Sequence, residues 1–353
     1  MKRRSFLKTL AAGASIPLAG GKHVLTCRGA GPGALTRTSM GVVQYSFSLG
    51  PHTRSAFDFL EYCSALGAGG IQTGLDSLDA GYLDRLRRRA SELGMYLEVI
   101  VNLPQGDGAA DFERQVAAAV RAGARCLRSA CLGGRRYENF RSLDQWKDFV
   151  TESHKRIAQA VPVLEKHRMP LGLENHKDWT ADEMVALLER YASENLGVCL
   201  DIGNNLALLD DPRDVIEKLT PHAVTTHFKD MAVEEYPEGF LLSEVPLGQG
   251  ILDLPWVVES LRQARPRARL SLEMLTRDPL RVPYLTDKYW VTFPERSGVY
   301  LSRTMALVRG RPPRKPLPHV SGLDELERRQ QEEDNVKECL AYAGEKLGLH
   351  GGP

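Results

Sequence analysis

Four side chains combine types that suit one chemistry with a spacing that suits one architecture. Glu174, Asp201, His227 and Glu273 each follow or interrupt a short apolar run, in LGLENH, VCLDIGNN, THFKD and LSLEML. Three carboxylates and one imidazole form a hard, oxygen-rich donor set. It suits one divalent ion, Mn2+ first, with Mg2+, Co2+ or Zn2+ as alternatives, and leaves positions open for substrate oxygens. At the ends of buried strands such groups are costly unless they are paired or bind a metal. The competing account is a set of salt bridges at the same place, but Lys229 is the one cation obvious beside them.

The spacing says which elements must position them. The steps from 174 to 201, from 201 to 227 and from 227 to 273 are 27, 26 and 46 residues. The first two match single strand–helix steps, and the third adds an inserted loop over 231–250. From Thr38 onward, eight apolar runs alternate with amphipathic stretches, beginning with GVVQYSFS, GAGGIQTGL, YLEVIVNLP and ARCLRSACLGG. PLGLENH, LGVCLDIG, HAVTTHFKD and RLSLEML complete the set. This alternation predicts an α/β fold, a (β/α)8 TIM barrel over 38–309, whose C-terminal mouth gathers side chains from different strands. An open doubly wound sheet would place a glycine-rich phosphate turn after its first strand, and SLGPHTR is not one.

Three further segments are set apart by composition. Residues 1–35 open with Lys2-Arg3-Arg4-Ser5-Phe6-Leu7-Lys8 and continue into a mildly apolar, small-residue stretch. That pattern resembles a twin-arginine export signal, implying the twin-arginine translocase as a partner and a periplasmic or extracellular destination. Beyond Arg309, RGRPPRKPLPH reads as a linker and 322–349 as a charged helix with an apolar stripe at Leu323, Leu326, Val336 and Leu340. This 310–353 segment is expected to pack on the barrel or to serve a homo-oligomer. A net charge of +1 gives no field for nucleic acid. Six cysteines without a CxxC pair make no disulfide framework, and Cys63, Cys126 and Cys199 read as small core residues.

Taken together, LGLENH, VCLDIGNN, THFKD, PLGQGILDLPWVVESL and LSLEML resemble the xylose isomerase-like barrel superfamily over about residues 38–305. This group of sugar phosphate isomerases and epimerases also includes ketose 3-epimerases, inosose dehydratases and endonuclease IV. The resemblance implies that Glu174, Asp201, His227 and Glu273 are metal ligands and that Glu174 and Glu273 double as the acid–base pair. It implies substrate contacts for His176 and Lys229; Asn204 can hydrogen-bond a hydroxyl, and Glu98 on the third strand is within reach. Ketose 3-epimerases, as the resemblance implies, carry a His and an Arg where this chain has Asn204 and Val233. Nine scattered histidines do not fit a multi-zinc endonuclease.

The chemistry follows without the family. A divalent ion beside a ketone oxygen polarises the carbonyl and favours an enediolate, while carboxylates on either side of the sugar can remove and return a proton. The expectation is an exported metal-dependent sugar isomerase or epimerase. A lyase acting on 3-keto-glycosides by β-elimination, or a dehydratase of keto-polyols, is the runner-up. A non-catalytic carbohydrate-binding accessory protein is the alternative of another class. Tyr284, Tyr289 and Trp290 are expected to pack at the surface after the eighth strand, with a sugar-stacking wall as the alternative.

Overall fold

The computed structural model describes residues 37–48, 50 and 55–351. The expected export signal and Cys27 lie outside the described residues. Strands and helices then alternate as the apolar periodicity predicts. β1 (Gly41–Val43), β2 (Gly70–Thr73), β3 (Tyr96–Ile100) and β4 (Leu127–Ser129) are separated by α1 (Ala56–Ala65), α2 (Ala80–Glu92) and α3 (Ala109–Arg121). A short α4 (Arg136–Asn139) and a long α5 (Leu143–His167) lead to β5 (Leu171–Glu174). α6 (Ala181–Tyr191), β6 (Leu196–Asp201), α7 (Pro212–Leu219) and β7 (Ala223–Phe228) follow. Next come β8 (Asp230–Tyr236), β9 (Gly239–Val245), α8 (Leu254–Ala264) and β10 (Leu270–Leu272). β11 (Leu280–Val282), α9 (Asp287–Trp290), α10 (Gly298–Gly310) and α11 (Glu325–Glu345) complete the described chain.

Eight strands close a parallel barrel in the order β1–β10–β7–β6–β5–β4–β3–β2. Helices cover their outer face and side chains fill the interior, so the strands read as near-continuous apolar runs. β1 and β6 are buried along their whole length. Helices begin where the sequence supplies a capping oxygen: Ser55, Asp79, Ser142, Thr180, Asp211 and Asp253 each accept a first-turn N–H. Register brings strand ends to one level, with Asp201 beside His227 and Glu174 beside Cys199.

One expected element differs. The segment 231–250, expected as a loop, carries an antiparallel hairpin of β8 and β9, extended by β11. Its charged tip, EEYPEG, obscures the strand pattern, and its apolar face is covered by residues distant in sequence. Met231, Val233, Phe240, Leu242 and Val282 pack with Tyr284, Tyr289 and Phe293 into a second core. Tyr284 and Tyr289 are therefore interior residues, neither a surface layer nor a wall for sugar. The chain returns from the hairpin through PLGQG, folded onto the Asp230 carboxylate. That group accepts N–H bonds from Met231, Gly248, Gly250 and Leu252 at 2.8–3.2 Å. A Cβ on Gly250 would lie 2.2 Å from Asp230 Oδ1, so this close approach requires glycine.

α11 packs against the barrel. Val336, Cys339, Leu340 and Ala343 join the main core, whereas Leu326 stays exposed. Glu332, buried in α11, accepts hydrogen bonds from the backbone N–H and the hydroxyl of Ser48 beyond β1. The five described cysteines are all buried and free.

Candidate metal centre at the barrel mouth

Glu174 ends β5, Asp201 ends β6, His227 lies near the end of β7, and Glu273 follows β10. Their ligand atoms all lie within 4.8 Å of one another. His227 Nδ1 is the hub, 3.3 Å from Glu174 Oε2, 3.2 Å from Glu273 Oε1 and 3.9 Å from Asp201 Oδ2. Barrel order separates Glu174 from Glu273 by β6 and β7, so the two glutamates flank the imidazole.

The surroundings fix how each group is aimed. Asp201 Oδ1 accepts the N–H groups of Gly203 at 2.9 Å and Asn204 at 2.7 Å, which turns Oδ2 toward the centre. Glu174 Oε1 accepts from Asn204 Nδ2 at 3.0 Å, while Arg128 donates to Oε2. Lys229 donates to Glu273 and lies 2.7 Å from Asp201 Oδ2. Beneath the imidazole, Glu98 Oε2 accepts from Gln72 Nε2 at 2.9 Å, Thr225 Oγ1 at 2.7 Å and Ser271 Oγ at 3.1 Å. With its amide N–H held there, Gln72 presents Oε1 to His227 Nε2 at 2.7 Å. His227 therefore carries its proton on Nε2 and turns the Nδ1 lone pair to the carboxylates.

That arrangement is the test of whether a metal fits. The buried His227 Nδ1 makes no hydrogen bond, while Asp201 Oδ2 meets the Lys229 ammonium at 2.7 Å. A lone pair facing carboxylate oxygens at about 3.3 Å is repulsive unless a proton or a cation lies between them. The donor set, its convergence and the oriented imidazole fit one divalent ion. Burial would raise Glu174 and Glu273, but the Arg128 guanidinium beside the first and the Lys229 ammonium beside the second hold both well below the usual carboxylate range. Both stay ionised at neutral pH.

The four expected metal ligands come together. The four expected substrate contacts divide. His176 lines the mouth cavity, which holds about 620 Å3, and burial pushes its imidazole down to about 4, leaving it neutral. Asn204 is buried and held between Glu174 and Lys177, so it positions a ligand instead of facing substrate. Lys229 is likewise enclosed, paired with Asp201 and Glu273. Glu98 lies one layer deeper and borders a cavity at the opposite end of the barrel, because its position on β3 points inward below the mouth. Its contacts belong to Gln72, Thr225 and Ser271, which corrects the substrate role expected for it.

Residues missed in the sequence complete the mouth: Arg128, Arg156, Lys177 and Arg277. Arg128 carried a signal, as a charge inside the apolar run ARCLRSACLGG. Lys177 sat unremarked in LGLENHKDW and adopts the left-handed conformation, φ +62°. Arg277, four residues after Glu273, is held by buried Glu244 of β9 at 2.5 and 3.1 Å.

The chain is similar to several known proteins. A 3-oxo-isoapionate decarboxylase of Pectobacterium atrosepticum is 28% identical over 235 residues, 64% of this chain and 81% of that protein. Among solved structures, a D-psicose 3-epimerase in the presence of D-fructose shares 16% identity with a TM-score of 0.59, covering 88% of this chain and 99% of its own. The 3-keto-D-glucoside 4-epimerase of E. coli shares 12% identity with a TM-score of 0.53, covering 78% and 100%. At these identities the two structures speak to fold. The xylose isomerase-like TIM barrel model matches residues 60–290, and the chain belongs to that family.

Proposed function

We propose that the protein is a metal-dependent enzyme that moves a proton at a carbon next to the carbonyl of a sugar, as an isomerase or epimerase. The observation that carries this reading is the convergence of Glu174, Asp201, Glu273 and the His227 Nδ1 lone pair within 4.8 Å. A divalent ion, Mn2+ first among the candidates, would supply charge that polarises the substrate carbonyl and acidifies the adjacent C–H. Glu174 and Glu273 flank that position and serve as the acid–base pair. Carboxylates held so far below their ordinary range are weak bases, competent only toward an acidified hydrogen, so the proton transfer and the metal belong together. Arg128 and Lys229 keep the two glutamates ionised, and the Glu98–Gln72 pair keeps the imidazole turned.

A second reading is favoured by the decarboxylase relative. If a carboxylate sits β to the carbonyl, the C–C electron pair flows to the carbonyl oxygen, CO2 leaves, and the resulting enediolate takes a proton on carbon. One experiment separates the readings: metal analysis of the purified protein, then incubation of free and 3-keto sugars in deuterium oxide. Deuterium entering intact sugar supports isomerase or epimerase; release of CO2 or another fragment supports lyase. Turnover by Glu273→Gln equal to wild type would remove both.

Export through the twin-arginine pathway is part of the proposal and rests on RRSFLK at residues 3–8. A periplasmic enzyme would meet unphosphorylated or oxidised sugars. Replacing Arg3 and Arg4 by lysine and fractionating cells tests it, with retention in the cytoplasm expected.

A further inference from the structure

The mouth cavity carries more positive charge than its carboxylates need, and Lys177 is where the excess lies. Arg128, Arg156, Lys177 and Arg277 line the cavity, against Glu273 as the sole lining carboxylate among the described residues. Arg128 is paired with Glu174, Arg277 with Glu244, and Lys229 behind the wall with Asp201 and Glu273. Lys177 and Arg156 have no carboxylate partner among the described residues. Arg156 donates to the carbonyls of Leu103, Pro104 and Cys131, and Lys177 to the Asn204 side chain. Nearby Asp178 accepts N–H groups of Leu132, His176 and Trp179.

Lys177 is also held there at a cost. It is 3% exposed, with φ +62°, a conformation that costs a non-glycine residue about 1 kcal/mol or more. Burial, with Lys229 and Arg277 nearby, lowers its ammonium to about 8, so it still carries its charge at neutral pH. A buried, unpaired cation in a strained backbone at a cavity wall is a preformed place for an anion.

The geometry points to Lys177, supported by Arg156, as the specificity determinant that seats an anionic group of the substrate, making this a site for oxyanion-bearing sugars rather than neutral ones. The inference rests on reading the mouth as a sugar site. A carboxylate of an oxidised sugar and a phosphate of a phosphorylated one share the required chemistry, and the probes below distinguish them.

The test is equilibrium binding, read by calorimetry on the full protein with D-glucuronate, D-glucose 6-phosphate and D-glucose. The expected result is that at least one anionic probe binds about tenfold or more tightly than D-glucose. Lys177→Met should abolish that preference, bringing the anionic probes to within about twofold of D-glucose measured on the same variant, and Lys177→Arg should retain part of it. Which anionic probe gains identifies carboxylate or phosphate. Because Lys177→Met removes a buried charge, its melting temperature should not fall, which separates anion seating from a structural role. Equal binding of all three probes by wild type, or an anion preference intact in Lys177→Met, overturns the inference. Absence of deuterium exchange with every sugar alongside a Lys177-dependent anion preference would instead overturn the proposed proton transfer and leave the anion site standing.

Discussion

Two layers of the barrel interior hold buried carboxylates, and they behave differently. In the upper layer Glu174, Asp201 and Glu273 converge on one another, with Arg128 and Lys229 drawn against them. In the lower layer Glu98 pairs with no cation among the described residues; neutral donors from Gln72, Thr225 and Ser271 satisfy it, and burial raises its carboxyl above the ordinary range. A glutamate in a barrel strand is thus not a functional residue by type alone. Company decides: fellow carboxylates and an imidazole lone pair facing one point mark a cation site, whereas a ring of hydroxyl and amide donors marks a structural anchor.

The strongest way to break this comparison is to exchange the layers' sensitivities. Glu273→Gln should lower proton-exchange turnover by at least about 10^3-fold and weaken metal binding measured by titration. Removing metal with a chelator should abolish turnover and lower the melting temperature, since an ion bound only to the native state stabilises it. Glu98→Leu should act on stability, costing about 2–4 kcal/mol in denaturant unfolding because three buried donors lose their acceptor.

Lys177 sharpens the contrast through pH. Its ordinary value is 10.5 and its folded value about 8, so between those limits the unfolded chain binds the proton and the native state does not. Stability therefore rises with pH across that window, and below about pH 8 the buried charge costs about 3 kcal/mol. Asn204, Lys229, Arg277, Glu244 and Asp201 surround the group, so the measurement is the stability of wild type relative to Lys177→Met at pH 7 and pH 10. The variant's advantage should shrink at the higher pH; an unchanged advantage would contradict a buried ammonium.

The smallest effect belongs to Glu98→Gln. Retaining shape and an acceptor oxygen, it should leave turnover within about tenfold of wild type, the scale expected for a group that orients a ligand through another residue. A loss as deep as that of Glu273→Gln would show that Glu98 takes part in the chemistry and erase the difference between the layers.

The primary sequence determined the barrel and the four polar side chains that converge at its mouth, because apolar runs at strand–helix intervals and polar residues at their ends are local signals. Composition also set apart the terminal segments, and α11 formed where its charged pattern predicted. What only tertiary structure decided was direction. Asn204 and Lys229 face inward to other side chains because Asp201, Glu174 and Glu273 claim their polar ends. The hairpin at 230–245 became sheet because β11, Tyr289 and Phe293 cover it from 35 or more residues away. Lys177 gained its importance from Arg156 and Arg277, brought to the same cavity from α5 and from the loop after β10. Periodicity along a chain reports which residues are buried; which buried charge meets which partner depends on barrel closure, and no local pattern encodes that.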